Sequence, residues 1–67
     1  MTGFDILKAR RAARINQSDL VKALSLSGRG TLVDIEHGEV DVTPEWATKA
    51  INTINELAEA KAQKDAA

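Results

Sequence analysis

The chain has 67 residues, 43% of them hydrophobic, with nine Lys and Arg against ten Asp and Glu for a net charge of -1. That length makes one domain with a thin core, since a chain of this size buries only about 60% of the surface its unfolded form exposes. The absence of Cys excludes disulfide staples and thiolate metal sites. Apolar runs of two to three residues exclude a helical membrane span, and the start Met1-Thr2-Gly3-Phe4-Asp5 lacks the basic and apolar regions of a signal peptide, so a cytoplasmic protein is expected.

Helix patterns dominate and no strand pattern competes with them. The first helix starts after Thr2, which with Asp5 three positions on resembles a capping box, and runs to about Arg14 with Ile6, Ala9 and Ala13 on one face. Asn16 is placed to cap a second helix, with Asp19 positioned to return the bond, and Leu20, Val21 and Leu24 form its apolar face. The stretch Ser25-Leu26-Ser27-Gly28-Arg29-Gly30 combines turn formers with one apolar plug, Leu26, and redirects the chain. A third helix covers roughly Arg29 to His37, burying Leu32 and Ile35, and Gly38 is suited to stop it in a left-handed conformation. The alternating Glu39-Val40-Asp41-Val42 is too short for a sheet. Thr43 and Pro44 form the clearest helix start, a capping hydroxyl followed by the residue best tolerated at the first helical position. From there Ala47, Ala50, Ile51, Ile54, Leu57 and Ala58 recur at helical spacing to about Ala60. Residues 61–67 favour helix in composition but offer nothing to bury, so a domain over residues 1–60 with a frayed tail is expected.

Charge is unevenly placed. Residues 1–37 carry six cations against four acids, a net of +2, whereas residues 38–67 carry three against six, a net of -3. The basic half also contains two short amphipathic helices joined by a Ser- and Gly-rich turn, an arrangement suited to presenting a helix to the DNA major groove.

Arg10 in the first helix, Gln17 at the start of the second, and Glu36-His37-Gly38 after the third together resemble the Cro/repressor family of helix-turn-helix regulators, the Xre type of phages and bacteria. The resemblance covers about residues 6–38. It implies an all-α, lambda-repressor-like bundle of four short helices, with room for a fifth. It further implies a phosphate contact from Gln17 and an ion pair between Arg10 and Glu36. Two features depart from the family: Asp34 stands on the presumed reading face, and the segment from Leu24 to Glu36 is about one residue longer than usual.

The residues give their own account of these roles. An amide at a helix start, beside free backbone N–H groups, makes an anion site, so Asn16 and Gln17 are phosphate candidates, with an exposed Gln as the plain alternative. Arg11, Arg14, Lys22 and His37 are further phosphate candidates, and a solvated charged face is the alternative for the run Lys8, Arg10, Arg11 and Arg14. The outward positions Arg29, Gly30, Thr31, Val33 and Asp34 are candidates for base contact: Arg29 toward guanine, Thr31 toward a thymine methyl, Asp34 toward a cytosine amino group. Trp46 falls at the edge of the last helix's apolar stripe, near Ile54, and the two are weighed as dimer contacts against ordinary core burial. One His and no Cys suggest no metal site.

These features point to a sequence-specific DNA-binding regulator, a small Cro-like repressor that meets a palindromic double-stranded operator as a homodimer. The alternative is a protein-binding module of the same fold, antirepressor-like or antitoxin-like, favoured by the net acidity and by Asp34. No enzyme, cofactor, small-molecule ligand or membrane partner is expected: the sequence has no phosphate-binding Gly motif and no pair of acids in an apolar setting.

Overall fold

A computed structural model describes residues 3–66 of the chain, and side chains through residue 62. Four helices follow in order, α1 over Gly3–Ala12, α2 over Gln17–Ala23, α3 over Arg29–Glu36 and α4 over Pro44–Ala66, and no strand occurs among the described residues. Three of the helices have a visible local cause. Asp5 in the first turn of α1 and Arg10 and Arg11 in its last turn complement the helix dipole. The Asn16 side chain accepts the Asp19 backbone N–H at 2.8 Å and caps α2, while Thr43 Oγ1 accepts the Trp46 N–H at 3.1 Å and caps α4. The proposed Thr2 cap lies outside the described residues.

The first three helices all end in the same way. Arg14, Ser25 and Gly38 stand at positive φ, 58°, 56° and 79°, one residue past each C-cap. The following N–H groups then reach back to the exposed carbonyls: Ile15 to Arg10 at 3.1 Å, Leu26 to Val21 at 3.0 Å and Glu39 to Asp34 at 2.8 Å. In the first two cases the residue after the turn is apolar and falls back onto the core, Ile15 fully and Leu26 in part. The left-handed stop at Gly38 follows the sequence expectation. At Arg14 and Ser25 a side chain is held in a conformation that disfavours it, because the buried Ile15 and the half-buried Leu26 compensate.

Every helix feeds one core. Ile6 from α1, Leu20 from α2, Leu32 and Ile35 from α3, and Ala47, Ala50 and Ile54 from α4 join Ile15 from the α1–α2 turn. Val21 and Leu24, expected on the buried side of α2, pack against this cluster while only partly buried. Ile54, weighed above as a dimer contact, is fully buried in the chain's own core and has no surface to offer a second copy. The anticipated end of the last helix near Ala60 also needs correction. At about 1.5 Å per residue the 23 residues of α4 reach about 34 Å, close to the 39 Å long axis of the molecule. Ala-, Lys- and Gln-rich composition sustains this extension, and Lys61 Nζ ties it down by donating to the Arg14 carbonyl at 3.1 Å.

Two contacts lock α1 to α3. Arg10 Nε donates to Glu36 Oε2 at 2.7 Å and Nη2 to Oε1 at 3.4 Å, while Nη1 donates to the Ile15 carbonyl at 3.1 Å. One guanidinium thereby bridges α1, the α1–α2 turn and α3, with the two side chains 11% and 2% exposed. At the other end of α1, Gly3 lies buried against the end of α3, where a Cβ would overlap the Ile35 carbonyl.

Removing one partner of the ion pair strands a buried charge, so Arg10→Ala or Glu36→Ala should each lower stability by about 3–5 kcal/mol, whereas the paired replacement Arg10→Met with Glu36→Leu should cost less than either. Urea melts of the three variants check this, and a double variant weaker than both singles would contradict it. Gly3→Ala should cost about 1–3 kcal/mol through overpacking, read from the same melts.

Candidate nucleic-acid interface

Helix α3 packs against α1 and α2, and its backbone makes no close approach to α4 among the described residues. With Leu32, Ile35 and Glu36 turned inward, the 100° step per residue places Gly30, Asp34 and His37 on the opposite side. All three are exposed, as is Arg29 at the N-terminal end; Thr31 and Val33 lie half-buried on the shoulders. The Thr31 hydroxyl is engaged with Ser27 across the start of the helix, Oγ to Oγ1 at 2.9 Å. Asp34 therefore stands at the centre of the outward face, and its backbone carbonyl holds the following turn.

The N-terminal end of α3 is the more receptive to anions. Gly28 precedes it without a side-chain cap, and the first turn carries Arg29 and no acid. The turn between α2 and α3 runs from the left-handed Ser25 to the extended Gly28, with Leu26 inserted toward the core.

The phosphate candidates fall into two places. Arg14, Asn16 and Asp19 line one hollow of about 410 Å³ together with Leu57, Ala60 and Lys61, so α4 shares this edge with the start of α2. Gln17 beside it is half-buried, and Arg11 and Lys22 are exposed. His37 lies apart from these, at the C-terminal end of α3, where it borders a hollow with Gly3, Phe4, Leu7 and Gly38. Asn16 uses its Oδ1 for the cap, which leaves its amide NH2 for an outside acceptor. Lys61, assigned by sequence to the tail, joins the Arg14 edge, and only the continuation of α4 brings it there. Trp46 is half-buried, packed on the core and facing a groove with Leu26, Ile35, Asp41, Val42 and Thr43.

Among the described residues no cluster of His, Cys, Asp or Glu could hold a metal ion, and no helix is long and apolar enough to cross a membrane. No family model, curated protein or solved structure matches the chain.

The two roles available to Asn16 are separable. Asn16→Ala should lower stability by about 1 kcal/mol, whereas Asn16→Asp should keep the cap and the stability. If phosphate lies beside this edge, the Asp variant should still bind duplex DNA more weakly in a fluorescence-anisotropy titration at low salt.

Proposed function

We propose that the chain is a sequence-specific DNA-binding regulator of the Cro/repressor helix-turn-helix kind, with α2 lying on the sugar-phosphate backbone and α3 entering the major groove. The observation that carries this reading is the one-sided packing of α3. A short helix is held rigidly through Leu32, Ile35 and the Arg10–Glu36 pair, while its opposite face and its uncapped N-terminus are open. A short exposed helix on a fixed support is what direct reading of base edges requires. Arg29 would donate to guanine, and Asp34 would accept from a cytosine amino group and exclude bases that offer only acceptors there. Gln17, Arg11, Arg14 and Lys22 would hold phosphates and set the register. A single copy makes few contacts, so two copies on half-sites one helical turn apart, about 34 Å, would act together as a repressor of phage or prophage type on DNA in the bacterial cytoplasm. The reading involves no catalysis and no cofactor.

A specific observation favours a second reading, a protein-binding module that retains this fold. Between Arg29 and Lys49 the chain carries no Lys or Arg, while Asp34, Glu39, Asp41 and Glu45 are exposed. Such a surface repels phosphate and suits a protein partner.

Selection from a randomised duplex library at low and moderate salt, with wild type and Arg29→Ala, separates the two. The DNA reading expects a palindromic motif that loses preference at specific positions in the variant, and binding that falls steeply with salt through counterion release. Asp34→Ala should relax the preference at its position and raise affinity for duplex of any sequence. Enrichment of no motif at low salt would instead support the protein-binding module.

A further inference from the structure

The features not absorbed by this reading gather around the turn between α3 and α4. Among the described residues Phe4 and Val40 are the large apolar side chains most open to solvent, 58% and 45% exposed. Phe4 borders the hollow that reaches Gly38 at the start of the turn, and the groove of about 310 Å³ lined by Leu26, Ile35, Val42 and Trp46 takes in Asp41 to Thr43 at its end. Val40 stands between them in the chain. The charges differ across this boundary. Lys8 Nζ sits 5.3 Å over the Phe4 ring, so the exposed aromatic carries a cation with it. The groove's rim carries Asp41, with Glu39 and Glu45 adjacent in the chain, all exposed and without a cation between Arg29 and Lys49.

We propose that this end of the molecule is a two-fold interface with a second copy of the chain, in which each copy places Phe4 in the other's Leu26–Val42–Trp46 groove and Lys8 against the other's Asp41. A two-fold axis beside Val40 exchanges the two ends of the turn, so the knob and the groove of each copy are satisfied reciprocally and the assembly closes at two. Size requires that the whole region take part. A stable interface covers about 800 Å² per partner, roughly a sixth of the 4565 Å² surface of this chain, so the Val40 turn must be included with both flanks. The proposal deepens the dimeric part of the function above by naming its surface, yet it is tested with no DNA present. A failure here and a failure of the DNA reading are therefore distinguishable.

Sedimentation velocity over a concentration series, with Trp46 emission as a second readout, tests it, because Trp46 is the only Trp. Wild type should pass from monomer to dimer with a blue shift of Trp46 emission. Phe4→Ser, Lys8→Glu and Asp41→Lys should each weaken association at least tenfold while retaining the helical circular dichroism of the wild type. An equimolar mixture of Lys8→Glu and Asp41→Lys should recover dimer, since in that pair alone both reciprocal contacts join opposite charges. A wild type that stays monomeric to millimolar concentration would overturn the proposal. So would species larger than a dimer, or a mixture that associates no better than its components.

Discussion

The Arg10 guanidinium is the constraint on which the rest of the arrangement depends. Its three directions of donation reach Glu36 on α3 twice and the Ile15 carbonyl in the α1–α2 turn once, so one planar group fixes three segments relative to each other. A pair this far from water adds little net stability, because desolvation offsets its attraction, but the fork geometry leaves few alternative positions for α3. Gly3 supports the same junction at the other end of α1 by allowing α3's last turn to approach at backbone distance. Together they set the direction in which α3 points, and hence which of its side chains face outward.

A chain of this length has little core to distribute, and the helix ends extend it. Each of the first two left-handed stops carries an apolar residue back over the helix it terminates, so Ile15 and Leu26 contribute to packing from within turns. The turns thereby join the core that α1, α2 and α3 share. The long α4 closes the other side, touching α1 and α2 while leaving α3 open on its outer face. Stability and display are divided between elements: α4 supplies much of the burial, and α3 supplies the exposed surface.

That surface is electrostatically divided. Arg29 and an uncapped helix start lie at one end of α3, whereas Asp34 occupies its middle and the acids of the following turn its far end. In the DNA reading this gradient favours docking through the N-terminal end, with phosphate held by the α1–α2 side and kept from the α3–α4 turn. The turn is then available for protein contact, and the apolar groove beside Trp46 lies on the part of the surface least compatible with phosphate.

The sequence by itself determined the helices and their starts, because capping and left-handed stops are local: Asn16, Thr43 with Pro44, and Gly38 each act within four residues of chain. It also determined much of the core, since Ile6, Leu20, Leu32, Ile35 and Ile54 fall on the apolar faces of their helices, whereas Ile15, in a turn, carried no such signal. The candidate reading face was legible in part for the same reason, as the positions left after Leu32 and Ile35 turn inward. Tertiary structure decided what no periodicity encodes. Gly3 is read as an ordinary N-terminal residue until the Ile35 carbonyl is placed against it. Ile54, on the apolar stripe, remains open to a dimer contact until the other helices close over it. Lys61 belongs to a tail until α4 continues far enough for its ammonium to reach the Arg14 carbonyl. The centring of Asp34, the commitment of Thr31 to Ser27 and the pairing of Phe4 with Lys8 at the edge of an acidic groove likewise depend on which faces meet. Those faces are fixed by contacts between residues distant in the chain, and one amphipathic pattern is compatible with several such packings.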